Sequence, residues 1–282
     1  MGRTENINVF QDTMNLCKNN DRIRESVHNS AEGQKLILEG DAIAEPDKKR
    51  YKEKARIKVS AKRTFEAASG YRGTKTAVHN FASASNPGGG VERGANAQEE
   101  CLCRCSGLFK CLNVPDAWSG FYMTHRAEHN PIHNDDIIYT PDVLVFKSDT
   151  VKPELMDETD WYNVDVITCA APNLREKPSN AFNTGDGKDA IKITDKDLLA
   201  IHEKRLRRIL DVALSNKVET IVLGAFGCGA FMNNPNVVAQ ASKNVVNEYL
   251  HAFKNIEFAV YCSPKDDTNY RIFDRVLKPY TK

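Results

Sequence analysis

Two stretches of this chain put ligand-binding or reactive residue types at spacings that suit chemistry. The first runs Asn86-Pro87-Gly88-Gly89-Gly90 and, after a seven-residue spacer (Val91 to Ala97), Gln98-Glu99-Glu100. Three consecutive glycines remove every Cβ, so the backbone can adopt positive φ or lie close against a ligand. A flexible turn alone fits poorly, because the glycines lead directly to an acidic triplet at an expected helix start. With the cap placed at Asn96, Ala97, Gln98 and Glu99 fill the first three helical positions. Glu99 can then reach back to the Asn96 N–H as a capping box does. That gives Glu99 a structural duty and leaves Glu100 the freer acid. Adjacent helical residues point about 100° apart, so the two carboxylates do not face each other across a substrate as the pair in most glycosidases does.

The second stretch is Ile221-Val-Leu-Gly224-Ala225-Phe226-Gly227-Cys228-Gly229-Ala230-Phe231-Met-Asn-Asn-Pro235. A buried strand enters a glycine-rich loop and a helix leaves it. Backbone N–H groups there, with the helix N-terminus, suit a phosphate or diphosphate. No Lys-Ser/Thr follows, and the glycine order is not the dinucleotide fingerprint. A sharp strand-to-helix turn is the alternative explanation for two of the glycines.

Other clusters carry weaker signals. Cys101, Cys103 and Cys105 lack a Cys-x-x-Cys pair or a nearby His to complete a zinc site, so buried free thiols are expected at the eight cysteines. His125, His129 and His133 recur every four residues, but Pro131 breaks a helix there, and packing or surface roles are expected. No metal and no cofactor is expected.

Stepping outward, strands are expected at Arg56–Ser60, Thr76–Ala82, Val143–Lys147, Val164–Ala170, Glu219–Gly224 and Ile256–Cys262, several of them continuous apolar runs suited to buried strands. Helical spacing marks Asp195–Asn216, with Thr194 and Asp197 as its opening signal, and Asn234-Pro235 opens another helix. Alternating strands and helices imply an α/β fold, a central sheet sandwiched between helices. Residues 1–55 lack strand character and read as an N-terminal helical extension packed on the domain formed by 56–282. Pro172–Ile193 reads as a long surface loop. The basic run Lys48–Arg63 is either a solvated face or a contact zone for a polyanion.

The 282-residue chain holds 39 Lys and Arg against 38 Asp and Glu, net +1. That balance argues against coating nucleic acid through its phosphates, but not against a small anion in a local site. Apolar runs such as Ile221–Phe226 are too short to span a bilayer, and no apolar signal region opens the chain. A cytoplasmic location, with no membrane partner and no sequence-specific nucleic acid, is the expectation.

Together these segments resemble the poly(ADP-ribose) glycohydrolases, whose signature is Gly-Gly-Gly, a short spacer and Gln-Glu-Glu. The flanking Asn80-Phe-Ala-Ser-Ala and Leu102-Cys-Arg-Cys-Ser, Thr168-Cys-Ala-Ala-Pro-Asn173 and the Gly224–Asn234 loop are similar to the bacterial-type branch. The resemblance covers about residues 56–282. It implies a macrodomain, with a mixed sheet between helical layers, and cleavage of ribose–ribose glycosidic bonds in poly(ADP-ribose) from chain ends. ADP-ribose is the implied product, and polymer or ADP-ribosylated protein the implied partner. It assigns diphosphate to Gly224–Ala230, the terminal ribose to Gly88–Gly90, catalysis to Glu100, ribose hydroxyls to Glu99 with Asn80 or Asn86, and ribose packing to Phe231. Gln98 belongs to the implied binding set. Two alternatives remain at this level: a macrodomain that binds ADP-ribose without cleaving it, and a hydrolase of mono-ADP-ribosylated targets.

Overall fold

The computed structural model describes residues 1–281. In chain order its elements are α1 (Arg3–Asn19), α2 (Asp21–Glu32), β1 (Lys35–Ile37), β2 (Arg56–Ser60), α3 (Thr64–Ala68), β3 (Thr76–Ala82), α4 (Gln98–Cys105), α5 (Leu108–Leu112), α6 (Pro115–Ala117), α7 (Met123–Glu128), β4 (Ile137–Val145), β5 (Tyr162–Ala170), α8 (Asp195–Ser215), β6 (Thr220–Leu223), α9 (Pro235–Val246), β7 (Asn255–Ala259) and α10 (Thr268–Leu277). One seven-stranded mixed sheet has the order β1-β4-β5-β3-β6-β7-β2. The run from β5 through β2 is parallel, while β4 is antiparallel to both β5 and β1.

Alternate residues of the central strands feed two cores. Ala77, Ile167, Ile221, Leu223 and Ile256 pack with Leu206, Ile209, Val238, Val245 and Phe273 from α8, α9 and α10. Val78, Val166 and Val222 pack with Phe10, Leu102 and Leu108 from α1, α4 and α5 on the other face. Period-two alternation between two buried faces is what a sheet sandwiched between helices requires. Helix starts follow local chemistry. The Thr194 Oγ accepts from the Asp197 N–H at 3.1 Å to open α8, and Asn234 Oδ1 accepts from the Asn236 N–H at 3.1 Å with Pro235 in the first turn of α9.

Three expectations are corrected. Residues 1–55 do contribute a strand. β1 pairs Lys35–Ile37 with Tyr139–Ile137 and covers the outer edge of β4. Three residues are too short for a periodicity to show. The strand expected at Val143–Lys147 begins earlier, at Ile137, because an irregularity after Thr140, with Asp142 at φ 50°, interrupts but does not end the pairing. The third concerns the cap of α4 and is described with the site.

The basic run divides by position. Lys48 pairs with Glu248, Arg50 donates to the Val218 carbonyl and Lys58 pairs with Glu257, so these serve the fold. Lys62 and Arg63, past the end of β2, line the cavity described below. Pro172–Ile193 carries no helix or strand element. All eight cysteines are free, and six are buried. No helix among the described residues is long and apolar enough to cross a membrane.

Candidate active site

The carboxyl ends of the parallel strands open into a cavity of about 1110 Å³. This is where open α/β sheets place ligands, since loops leave the strands there and backbone N–H groups point outward. Along the sheet, Lys62 and Arg63 follow β2, Val260 and Tyr261 follow β7, Ala225–Phe231 follow β6, Ser83–Gly90 follow β3, and Ala171 to Asn183 follow β5.

Over the end of β3, α4 and the glycine loop fix each other. Gln98 is the tether. Its Oε1 accepts the Phe81 N–H at 2.9 Å, and its Nε2 donates to the His79 carbonyl at 2.8 Å and to Thr64 Oγ1 at 3.0 Å. Glu99, 3% exposed, accepts the Ser83 N–H at 2.8 Å and Asn80 Nδ2 at 3.3 Å. Glu100 accepts the Gly90 N–H through one oxygen and the Ala97 N–H through the other, both at 2.9 Å. The cap therefore sits at Ala97 and the capping acid is Glu100, not Glu99. Asn96 does not cap because Arg104 takes its side-chain oxygen at 2.6 Å and pulls Ala95 in through its carbonyl at 2.7 Å.

Gly88 and Gly89 both hold left-handed φ, at +63° and +60°. Consecutive residues in that region need glycine. A Cβ on Gly89 would lie 2.6 Å from Glu100 Oε1 and 3.1 Å from Glu99 Oε2, so both carboxyls converge on this one glycine. Burial, and then the charge of Glu100, push Glu99 well above the usual carboxylate range, against the N–H groups it accepts.

The loop after β6 is shaped from behind. The Asn233 amide nitrogen reaches the carbonyls of Pro172 at 2.7 Å, Phe231 at 3.1 Å and Gly227 at 3.2 Å. Its oxygen therefore faces His202 Nε2 at 2.8 Å, which fixes that ring as the Nε2–H donor. Burial lowers His202 to about 4, so it stays neutral. Gly227 has φ +76°, and a Cβ there would meet Ala171 Cβ at 2.7 Å and the Asn233 amide at 2.8 Å. The outward face is open, with nothing within 4 Å of a Cβ on Gly229. The N–H groups of Gly227, Gly229, Ala230 and Phe231 make no hydrogen bond to another described residue. Unpaired N–H groups in a loop that lines a cavity are suited to hold an anion.

Of the residues singled out from sequence, Asn86, Gly89, Gly90, Gln98, Glu99, Glu100, Ala225, Gly227, Gly229, Ala230 and Phe231 line the cavity together. Asn80 does not. It is fully buried behind Glu99, with its Oδ1 unpartnered. Gly88 packs inward on Phe109 and Cys103, and Gly224 on Phe81 and the Ala259 carbonyl. Phe226 turns into the core beside His79, and Cys228 also lies off the wall. Asn86 reaches the wall with both amide ends engaged, by Arg126 and the Phe182 carbonyl.

Arg63, from the basic run, lies over the Tyr261 ring at 4.1 Å. Sequence reasoning missed other wall residues: Arg93 lies over Phe182 at 4.6 Å and Arg175 over Phe231 at 5.6 Å. Asp149, raised to about 6 chiefly by burial, also faces the cavity. Phe182 was the legible one, since an aromatic side chain amid Asn and Gly in a polar loop has no core to join. The loop that bears it is anchored by Asp186, which accepts from Ser85, Asn173 and Asn183 and faces His133 Nε2 at 3.3 Å. Burial would raise Asp186, but these partners hold it down at about 2. His133 and His125 are buried packing residues and His129 is exposed, as expected of that trio.

No match was found among curated proteins. The crystal structure of poly(ADP-ribose) glycohydrolase from Deinococcus radiodurans in complex with ADP-ribose shares 31% identity with the chain, covering 90% of it and 97% of that protein, with a TM-score of 0.75. The Thermomonospora curvata poly(ADP-ribose) glycohydrolase bound to the inhibitor ADP-HPD shares 27% identity over 96% of this chain and 98% of that one, with a TM-score of 0.77. The family profile of the microbial-type PARG catalytic domain matches residues 4–148, which takes in the helical extension as well as the acidic triplet. The chain therefore belongs to the microbial-type poly(ADP-ribose) glycohydrolase family, on a macrodomain-like mixed sheet.

Proposed function

We propose that the protein hydrolyses the ribose–ribose bond of poly(ADP-ribose) and releases ADP-ribose, with Glu100 as general acid and then general base. The observation that carries this reading is the convergence of Glu99 and Glu100 on Gly89, beside a cradle of unpaired N–H groups. The diphosphate of the terminal unit sits on Gly227–Phe231 and its ribose lies against Gly89 and Gly90 under Phe231. The adenosine end runs toward β7 and β2. Burial and the neighbouring charge of Glu100 lift Glu99, so the site does not readily carry a full negative charge on Glu99. Bound diphosphate adds a further negative charge beside the raised Glu99. Glu100, on the cavity wall, passes a proton to the leaving ribose oxygen as the C–O bond breaks. It then takes one from the attacking water, whose oxygen forms the new bond at the anomeric carbon. Asn80 holds Glu99 in place rather than touching substrate. Gln98 acts likewise, by tying α4 to β3.

The same acids argue against a module that only binds ADP-ribose, because an anion cradle would serve that purpose without them. The substrate enters from a chain end and the protein acts in the cytoplasm. The test is incubation with purified poly(ADP-ribose), in the presence and absence of chelator, with products resolved by length. Monomeric ADP-ribose should accumulate from the start at equal rates in both. Early mid-length oligomers would refute terminal cleavage, restoration by a divalent ion would refute the metal-free mechanism, and absence of any product would refute the activity.

A further inference from the structure

The cavity is larger than one nucleotide unit needs, and its charges are not used up by that unit. Small-molecule pockets run to about 1,000 Å³ at the upper end, and this one holds about 1110 Å³. Gly227–Phe231 supply a cradle for one diphosphate. Arg3, Lys62 and Arg93 also line the wall, yet their side chains make no hydrogen bond or ion pair with another described residue. Lys62 lies at the β2 end. Arg3 and Arg93 lie elsewhere, together, on the flank of the glycine loop. The Arg93 Nη2 is 3.7 Å and Glu100 Oε1 3.6 Å from the point a Cβ on Gly90 would occupy. Arg3 is brought there by α1, whose first turn closes on Gly94, with Asn6 Nδ2 donating to the Gly94 carbonyl at 3.0 Å.

Beside these cations stands an exposed ring. Phe182 is 63% exposed, lies under the Arg93 guanidinium at 4.6 Å, and belongs to the loop after β5. The strand order places β5 on one side of β3 and β6, β7 and β2 on the other. The loop after β5 reaches both sides: Ala171 and Arg175 meet Gly227 and Phe231 of the β6 loop, while Phe182 lies with Arg93 beside Gly90 and the acids. The terminal unit occupies the β6 side, so whatever leaves when its glycosidic bond breaks departs past Arg93 and Phe182. In a polymer that leaving group is itself a nucleotide, with a ribose, a base and a diphosphate within reach of the broken bond.

We infer that Arg93 and Phe182, with Arg3, form a leaving-group subsite that binds the penultimate ADP-ribose unit: the exposed ring stacks on its base and the unpaired guanidiniums meet its diphosphate. This rests on the glycohydrolase reading above and deepens it. Stacking on an aromatic face and arginine–phosphate contact are the two interactions that an exposed ring beside unpaired guanidiniums offers a nucleotide. The consequence is a preference for polymer over a single ADP-ribose on a side chain, because a single unit leaves the subsite empty. It also gives the N-terminal helices a part in substrate choice.

The test compares Arg93→Ala, Phe182→Ala and the double variant with wild type. The readouts are KM and kcat on purified polymer, ADP-ribose affinity by calorimetry, and melting temperature. Each single variant should raise KM for polymer about tenfold, in line with the loss of one stacking contact. ADP-ribose affinity and melting temperature should stay within twofold and within a degree or two. The double variant should lose less than the product of the singles, since the two groups touch each other. Unchanged KM in both single variants would overturn the subsite. So would ADP-ribose affinity that falls as far as KM rises, because the residues would then hold the terminal unit. Failure of wild-type protein to release ADP-ribose would instead overturn the glycohydrolase reading beneath it.

Discussion

The two glycine loops over this sheet are held in opposite ways. In the Gly88–Gly90 loop the restraint comes from inside the cavity: Glu100 accepts the Gly90 N–H, and Glu99 accepts that of Ser83 just upstream. In the Gly227–Phe231 loop the restraint comes from behind, through Asn233 and His202, and the N–H groups of Gly227, Gly229, Ala230 and Phe231 have no partner among the described residues. A loop held by acids surrenders its N–H groups to them and presents carboxyl chemistry. A loop held by a buried amide keeps its N–H groups for an anion. Changes in the first loop therefore mix structural with catalytic loss, whereas changes behind the second should alter binding with less effect on the chemical step.

The largest expected loss that probes this contrast is at Gly89. Gly89→Ala puts a methyl 2.6 Å from Glu100 Oε1 at φ +60°, so the acids must shift. A displacement of about 1 Å costs roughly 10²-fold in turnover. Single-turnover rates with melting temperatures measure this, and near-normal turnover would show that the acids tolerate displacement. Gly227→Val attacks the other loop. Its Cβ would crowd Ala171 and Asn233 at positive φ, and ADP-ribose affinity by calorimetry should fall by at least about tenfold, as expected when backbone donors to a phosphate move. Unchanged affinity would move the phosphate site elsewhere.

Asn233→Ala should produce a smaller change with a different signature. It frees three carbonyls and leaves His202 without its acceptor, which costs about 1–3 kcal/mol of stability. ADP-ribose affinity should weaken several-fold while the chemical step on bound polymer holds. A selective loss of the chemical step would contradict the division between the loops. The smallest effect concerns Glu99. Its carboxyl is raised in the folded state, so it binds more protons folded than unfolded across the interval between the two values. The stabilisation this gives is complete below the unfolded value and is lost as pH rises through the folded one. Glu99→Gln cannot ionise. Its melting temperature relative to wild type should therefore climb by a few degrees as pH rises from about 5 to about 8. A difference independent of pH would mean that Glu99 ionises normally.

Much of the fold and of the candidate site could be read from residues alone. Arg56–Ser60 and Thr76–Ala82 coincide with β2 and β3: Ile57 and Val59 alternate with polar residues in the first, and the second is short, rich in apolar and β-branched residues and buried at all but one position. The glycine and acid clusters were visible because three missing Cβ atoms and adjacent carboxyls are costly without a purpose. What failed was local bookkeeping that depends on distant partners. Asn96 has good capping chemistry, but Arg104, eight residues on, consumes its oxygen and moves the cap to Ala97. Asn80 lies close to the acids in sequence logic, but β3 turns it into the sheet against Thr168. The cations and rings of the wall come from segments far apart in the chain, so no spacing connects Arg3, Arg93 and Phe182. The three-residue β1 exists only because β4 offers an edge to cover.

The most direct test of the central claim, that Glu100 is the reacting acid, is single-turnover cleavage of polymer by Glu100→Gln and Glu99→Gln, each with its ADP-ribose affinity. Glu100→Gln should lose at least roughly 10²–10⁴-fold, as removal of a general acid does. It should also melt lower, because an amide cannot accept both the Gly90 and Ala97 N–H groups as the two oxygens of Glu100 do. Glu99→Gln should retain part of its rate. A dead Glu99→Gln beside a nearly normal Glu100→Gln would contradict the assignment, and full activity in both would contradict the mechanism.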